Sequence, residues 1–498
     1  MNTRSTTRGL GLLTAIAAVA ALTAPVAFAA PATAAAPAAA KKAKGKSRDD
    51  FNGDGYQDLA VAAPRATVDG QERAGYVAVL YGSKSGLKTS GKQVLRQGRG
   101  GIPGVPQESD EFGGTLASAD LDRDGYADLV IGAVGDGYQP DPGAAGELTV
   151  VWGSAKGLGR GKTPAGTTRG SAEKGSTTRL VAGDFNGDGK PDLAAANWNS
   201  GLTVLHGPFD AAAKPARKTY VPAADQEINR SSFALAAGDV NKDGRTDILG
   251  IAETSDVERP GVLFWKGTTK GPAASEIVKD SKGKPLVGMS VAVGDVNKDG
   301  FQDVLVGNSA SGDLDPKRRG GTVTYLPGSA KGVSGAKSSV FHLDTPGIPG
   351  GPKDDGGFGA SVAVGDLDGD KYGDTVIGVP RRYADGRVES GSVVVLRGTR
   401  SGPTAAKAKE FTQNTPGVPG SSETRDYFGS HTKPFDADGD GRNELAVSAT
   451  GENKGAGEVW VLPATASGPT GKGSLTVNPT MLGVNPDVWG KFGSSYTR

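Results

Sequence analysis

A nine-residue stretch rich in oxygen-bearing side chains recurs along this sequence of 498 residues. Its first copy is Asp50-Phe-Asn52-Gly-Asp54-Gly-Tyr-Gln-Asp58, with side-chain oxygens at positions 1, 3, 5 and 9. Six further copies begin at Asp120, Asp184, Asp239, Asp295, Asp366 and Asp436. Carboxylates at alternate positions of a tightly turning loop can supply the oxygens that Ca²⁺ requires. The pattern therefore predicts up to seven calcium sites, which we call the acidic loops.

Each acidic loop offers five ligand positions. The side chains at positions 1, 3, 5 and 9 would bind the cation together with the backbone carbonyl of position 7, and glycine at position 6 permits the turn that aims them inward. The predicted ligands are Asp50, Asn52, Asp54, Tyr56 and Asp58; Asp120, Asp122, Asp124, Tyr126 and Asp128; Asp184, Asn186, Asp188, Lys190 and Asp192; Asp239, Asn241, Asp243, Arg245 and Asp247; Asp295, Asn297, Asp299, Phe301 and Asp303; Asp366, Asp368, Asp370, Tyr372 and Asp374; and Asp436, Asp438, Asp440, Arg442 and Glu444.

Two loops depart from the pattern and are the weakest predicted sites. Lys371 stands at position 6 of loop six, where a side chain strains the turn, and Glu444 replaces the last aspartate of loop seven. An EF-hand is excluded because it needs Glu at position 12, which here is Val61, Ile131, Ala195, Gly250, Val306, Ile377 or Val447. The alternative interpretation is that the acidic loops are ordinary hairpin turns that bind no metal. Seven sets of mutually repelling carboxylates favour the cation.

Short strands must position these loops. Buried apolar runs follow most of them, as in Leu59–Ala63, and a Phe-Gly pair such as Phe112-Gly113 or Phe358-Gly359 opens the strand before several. The loop starts are 70, 64, 55, 56, 71 and 70 residues apart, close to the length of a four-stranded propeller blade with loop insertions. The sequence also contains 79 glycines, which suits many tight turns.

The Phe-Gly opening, the acidic loop and the apolar strand together resemble the FG-GAP repeat over residues 49–498. Copies three and five lack the aromatic-glycine pair and have Ser176-Thr177-Thr178 and Gly288-Met289-Ser290 instead. The resemblance implies an all-β, seven-bladed β-propeller of four-stranded blades, like the head of integrin α chains, with calcium in the acidic loops. The chain begins its repeats without a Phe-Gly strand and ends with Phe492-Gly493, so we expect the C-terminal strand to complete blade one and close the ring.

The N-terminal region has the pattern of an export signal. Residues 1–29 combine Arg4 and Arg8 with an apolar run and a small-residue cleavage motif at Ala27-Phe28-Ala29, for which Ala32-Thr33-Ala34 is the alternative. The alternative interpretation is that the apolar run is a membrane anchor. Residues 30–48 are rich in Ala, Pro and Lys and are predicted to be a disordered linker, which could hold the protein at an anionic cell wall.

Composition narrows the possible partners. Cysteine is absent, which excludes disulfides and thiolate chemistry. Residues 1–48 hold seven basic and no acidic residues, so the rest of the chain carries 49 Lys and Arg against 55 Asp and Glu, a formal charge of −6. Nucleic acid is therefore not expected as a partner. We expect a secreted, extracellular monomer without a membrane span after cleavage of the signal.

No catalytic or other cofactor-binding residues are predicted. The three histidines, at 206, 342 and 431, form no recognisable catalytic motif, and packing is favoured over sugar stacking for Trp152, Trp265 and Trp460. The resemblance to integrin heads implies that ligand-binding connections lie on the face opposite the acidic loops. Long polar insertions are expected there: 65–73, 98–111, 134–145, 311–320, 345–357, 383–390 and 415–427. We therefore expect an adhesion or recognition module that binds a protein or glycan on the side of blades six, seven, one and two. An extracellular hydrolase or lyase on a propeller scaffold is the alternative.

Overall fold

The computed structural model describes residues 48–135, 147–164, 177–197, 201–222, 229–254, 257–310, 320–350 and 356–497. They form seven four-stranded antiparallel sheets, which confirms the predicted all-β, seven-bladed propeller. The predicted signal peptide, and the predicted linker except Arg48, lie outside the described residues. Within the described ranges no helix has the length and apolar character needed to cross a membrane.

Each blade runs from an inner first strand to an outer fourth strand. In that order the strands are Ser495–Tyr496, Leu59–Ala63, Tyr76–Leu80 and Gln93–Leu95 in blade one; Phe112–Ala119, Asp128–Ala133, Glu147–Val151 and Gly161–Lys162 in blade two; Thr177–Gly183, Asp192–Asn197, Gly201–Phe209 and Pro215–Val221 in blade three; Asn229–Gly238, Asp247–Thr254, Val257–Trp265 and Glu276–Ile277 in blade four; Ser290–Gly294, Asp303–Asn308, Thr322–Leu326 and Ser339–Phe341 in blade five; Ser361–Gly365, Asp374–Val379, Ser392–Arg397 and Thr404–Phe411 in blade six; and Phe428–Phe435, Glu444–Ala449, Glu458–Leu462 and Leu475–Val477 in blade seven.

Four short elements among the described residues lie outside these sheets. They are a hairpin of Gly267–Thr268 with Gly271–Pro272, a 3₁₀ turn at Gly335–Lys337, and single helical turns at Glu452–Gly455 and Pro479–Leu482. Successive strands of a blade run in opposite directions. Each acidic loop leads into the second strand of its blade, and in blades two to seven it also follows the first strand directly, so the loops all lie at one face of the ring. The turns between second and third strands, and the connections between blades, lie at the opposite face.

The C-terminal strand closes the ring as predicted. Tyr496 pairs with Val61 in the second strand of blade one, and the Gly493 N–H donates to the Ala62 carbonyl at 2.9 Å. The Lys433 ammonium of blade seven donates to the Asp49 carboxylate at 2.7 Å and to the Thr497 carbonyl at 2.8 Å. Both ends of the propeller are thereby held against blade seven.

The apolar core is divided among the interfaces between blades. Seven clusters of buried side chains lie within the described residues, each drawn from two neighbouring blades. The phenylalanine of the Phe-Gly pair fills this interface: Phe428 is fully buried and meets Trp460 edge to face with 5.4 Å between ring centroids. The glycine allows close approach, because a Cβ on Gly359 would lie 2.7 Å from the Thr322 carbonyl of blade five.

Candidate metal centres

All seven acidic loops share one backbone conformation, which their own side chains hold. In every loop the position 1 carboxylate accepts the N–H of position 6, the position 3 oxygen accepts the N–H of position 5, and the position 5 carboxylate accepts the N–H of position 7. These donor–acceptor distances all lie between 2.8 and 3.1 Å. Because each oxygen keeps a second lone pair, the three side chains remain able to bind a cation.

The position 9 carboxylate has a different role from the other three. In loop one, Asp58 accepts the N–H of Phe51 at 2.8 Å and the N–H of Gly82, at the end of the third strand, at 2.9 Å. Asp128 makes the same pair of bonds, to Leu121 at 2.8 Å and Gly153 at 2.9 Å. This carboxylate therefore ties the loop to its blade as well as facing the predicted cation.

Burial makes these position 9 carboxylates costly to ionise. It raises the pKa of Asp58 and Asp128 to about 8, although two backbone N–H groups oppose the shift in each case. The same cause raises the pKa of Asp374 and Glu444 to about 7 and that of Asp247 and Asp303 to about 6. Other carboxylates of the same loop add repulsion, from positions 1 and 5 in loops one and four and from positions 1 and 3 in loops two and seven. A bound cation would offset both effects.

Three loops bring three carboxylates close enough to share one ion. Oxygens of each set lie within 4.8 Å of one another in Asp120, Asp122 and Asp128, in Asp366, Asp368 and Asp370, and in Asp436, Asp438 and Glu444. In loop two, Asp120 Oδ1 is buried and has no hydrogen-bond partner among the described residues, so it is available to a cation. Glu444 reaches its cluster despite its extra methylene. The position 7 carbonyl stays a predicted ligand.

Loops one, three, four and five form no such group of three carboxylates within the described residues. Each has an amide at position 3, where the three clustered loops have a third carboxylate: Asn52, Asn186, Asn241 and Asn297. An amide oxygen is also a calcium ligand, so these loops keep the predicted donor set with one negative charge fewer.

Loop six contains a feature that sequence analysis missed. The Arg397 guanidinium, from the end of the third strand, contacts the Asp368 carboxylate and lies 3.7 Å from Asp370. Lys371 adopts φ +72°, the left-handed conformation that disfavours side chains, as predicted. The third strand of blade six thus supplies a positive charge to the acidic loop of the same blade. The available signal was the basic residue just before the third-strand glycine, where loops one and two have Tyr81 and Trp152.

Hydrogen bonds connect the acidic loops around the ring. The position 8 N–H donates to the position 1 carbonyl of the preceding loop, as from Ala127 to Asp50 at 3.0 Å. The same bond joins loop one to loop seven, from Gln57 to Asp436 at 3.0 Å. Loop three is the exception because Pro191 stands at position 8 and has no N–H. A displacement of one loop would therefore act on its neighbours through these hydrogen bonds.

The residues considered for catalysis or sugar stacking are in part buried. Trp265 and Trp460 are each 1% exposed, in agreement with the predicted packing role. His206 is also buried, and its Nε2 lies 2.8 Å from Thr219 Oγ1. Of the predicted insertions, most of 134–145, most of 311–320 and part of 345–357 lie outside the described residues.

The fold and its loops define a class: a closed seven-bladed β-propeller in which every blade carries one acidic, oxygen-rich loop. FG-GAP-like repeats match residues 120–195, 184–250 and 239–306. FG-GAP repeats match residues 48–80, 287–326, 358–396 and 436–462. The chain belongs to the FG-GAP repeat family.

Two curated proteins of different kinds are similar to parts of this chain. Integrin alpha pat-2 of Caenorhabditis elegans is 29% identical over 276 residues, 52% of this chain and 21% of the relative. Phosphatidylinositol-glycan-specific phospholipase D of Bos taurus is 24% identical over 404 residues, 74% of this chain and 47% of the relative. The chain therefore spans less than half the length of either. Among solved structures, the Dos1 propeller matches with a TM-score of 0.37 and 11% identity, over 75% of this chain and 71% of its own.

Proposed function

We propose that this chain is a secreted, calcium-binding recognition module that holds a protein or glycan ligand on the face opposite the acidic loops. In this proposal calcium stabilises the ring from one face, and the connections at the other face contact the ligand. The observation that carries the proposal is the position of the exposed apolar side chains.

Five of the eight large apolar side chains that are exposed among the described residues lie in the connections of blades six, seven, one and two. Tyr383 and Val388 are each 51% exposed in the turn between the second and third strands of blade six. Val105 is 70% exposed in the connection between blades one and two. Val488 and Trp489, 53% and 65% exposed, lie between blades seven and one. Exposed aromatic and aliphatic groups on rigid connections are typical of binding surfaces. We call these five residues the apolar rim.

Backbone hydrogen bonds hold these connections in place. The Arg425 N–H donates to the Val388 carbonyl at 2.9 Å, which joins the blade six turn to the connection that enters blade seven. The Glu111 N–H donates to the Arg73 carbonyl at 2.8 Å in the same arrangement between blades one and two. Preorganised connections lose less entropy when a ligand binds, which supports a recognition role.

A binding screen with matched variants tests this proposal. The full chain would be immobilised with calcium and exposed to a glycan array and to secreted and cell-wall fractions. Trp489→Ala and Tyr383→Ala should each weaken retention of the captured ligand at least tenfold. Tyr220→Ala is the control, because Tyr220 is 46% exposed but lies on the fourth strand of blade three, away from the apolar rim. Equal loss in all three variants, or in none, would contradict the proposed surface.

The hydrolase alternative has its own readout in the same screen. If a captured glycan or lipid is released in cleaved form, the protein is catalytic and the recognition proposal is replaced. Intact ligand recovered after elution supports binding alone.

A further inference from the structure

Acidic loop six is faced by an arginine at the place where a cation is expected. The side chain of Asp368, at position 3, is fully buried, and its Oδ2 contacts the Arg397 guanidinium from the end of the third strand. That oxygen accepts no hydrogen bond from a described residue. The guanidinium Nη2 also lies 3.7 Å from Asp370 Oδ2 at position 5, and its charge acts on the buried Asp374 at position 9. One protein cation therefore faces three of the four carboxylates of this loop.

Two lysines add to this positive charge. Lys371, at position 6, has its Nζ 3.9 Å from Asp366 Oδ2 at position 1. Lys298, from loop five, donates to the Asp370 carbonyl at 3.4 Å and lies over the Tyr372 ring, 5.2 Å from its centroid. Both lysines are exposed, so solvent and salt screen their charges more than that of the guanidinium. Three protein cations thus stand around the four carboxylates of loop six.

Loop two provides the contrast, because it has carboxylates at the same four positions and a different surrounding. Trp152 precedes its third-strand glycine, where blade six has Arg397. Gly53 stands at position 4 of the preceding loop, where loop five has Lys298. The main charges that act on three of its carboxylates are other carboxylates of the same loop. Loop two therefore needs a bound ion to compensate its charge, whereas the protein itself compensates loop six.

The arginines of two other acidic loops contact a different carboxylate. Arg245 of loop four and Arg442 of loop seven stand at position 7 and pair with the position 5 carboxylate of their own loop. The side chains of these partners, Asp243 and Asp440, are 22% and 33% exposed, whereas that of Asp368 is fully buried. Exposed pairs are weak because water screens them, so the buried pair of loop six competes most strongly with a metal.

We propose that Arg397 takes the place of the cation in acidic loop six, so that this loop keeps its conformation without metal and binds calcium about tenfold more weakly than loop two. To admit an ion, the loop must release the guanidinium from the buried Asp368, which costs binding free energy. Blade six should then depend less on calcium than blade two. This inference rests on the calcium binding proposed above and is independent of the ligand surface.

Calcium titration of crystals of the full chain tests the inference loop by loop, because each anomalous peak belongs to one site. In wild type, loop two should reach half occupancy at a calcium concentration about tenfold below that of loop six. In Arg397→Met the two loops should fill together. Arg400→Met is the matched control, because Arg400 is exposed on the same turn, and it should keep the wild-type order.

The titration separates the failure of this inference from the failure of calcium binding. If loop six fills with or before loop two in wild type, Arg397 does not replace the cation and the inference is wrong. A loop six that still fills late in Arg397→Met would overturn it as well. Calcium in no acidic loop would overturn the proposed calcium binding itself, together with this inference.

Thermal unfolding gives a second measurement that needs no crystals. Without calcium, Arg397→Met should melt at a lower temperature than wild type and Arg400→Met, because the loop six carboxylates lose their counterion. The same calcium concentration should then raise the melting temperature of Arg397→Met more than that of wild type, because the variant has a stronger site to fill. Equal calcium-induced increases in the two proteins would contradict the inference.

Discussion

Raising the pH from 5 to 7 should destabilise the calcium-free propeller and should not destabilise the calcium-loaded one. The reason is the pair of buried position 9 carboxyls, Asp58 and Asp128, whose pKa burial raises to about 8. In the unfolded chain their pKa returns to the ordinary value of 3.8. The folded state then holds more protons than the unfolded state, so their stabilising contribution is complete below pH 4 and is lost as the pH rises toward 8.

The size of the effect follows from linkage. Each such carboxyl reduces the free energy of unfolding by about 1.4 kcal/mol per pH unit inside this window. Two carboxyls over two pH units give a loss of about 5 kcal/mol. Asp374 and Glu444, with pKa values of about 7, add a comparable loss. Calcium bound in the acidic loops would replace the proton at these oxygens and favour the ionised form, so it would remove this pH dependence.

The assay is thermal or urea unfolding of the full chain at pH 5, 6 and 7. Calcium should be stripped on a chelating resin, because soluble chelators lose affinity at low pH, and then restored to half of the samples. The calcium-free melting temperature should fall by several degrees across the series, while the calcium-loaded one stays level or rises. Parallel pH profiles with and without calcium would refute the reasoning, because the acidic loops would then bind no cation.

Three substitutions test individual contacts. Arg397→Met should raise the calcium affinity of loop six about tenfold in titration calorimetry, because the competing guanidinium is gone; Arg400→Met, nearby on the same turn, should leave it unchanged. Lys371→Gly should raise the free energy of unfolding by roughly 0.5–1 kcal/mol, since it relieves a left-handed side chain; a decrease would contradict that strain. Lys433→Met should cost about 3–5 kcal/mol by leaving the buried Asp49 carboxylate unpaired, and Asp49→Asn added to it should restore part of the loss.

The repeat made the fold predictable from the sequence. Seven acidic loops at blade-like spacing fixed the number of blades, and the unmatched Phe492-Gly493 pair predicted the closing strand. These signals are local and recur in order. Copies three and five could be placed although they lack the Phe-Gly pair, because the acidic loop alone specifies the turn between the first and second strands.

Contacts between separate loops could not be predicted in the same way. Arg397 meets the carboxylates of loop six from a strand 27 residues beyond Asp370, and nothing in one repeat shows which third-strand residue faces a loop.

The third-strand glycine shows how the loops and blades constrain each other. A Cβ on Gly82 would lie 2.4 Å from the Gln57 carbonyl, and on Gly153 it would lie 2.2 Å from the Ala127 carbonyl. Both carbonyls belong to the position 8 residue of an acidic loop, and the N–H of that residue donates to the preceding loop. The N–H of the glycine itself donates to the position 9 carboxylate. A cation bound to the position 9 carboxylate would therefore stabilise the third strand, the acidic loop and the contact with the neighbouring blade at the same time. Calcium binding should accordingly stabilise the whole ring cooperatively, and local loosening of a single loop should spread to its neighbours, except from loop three to loop two, where Pro191 lacks the connecting N–H.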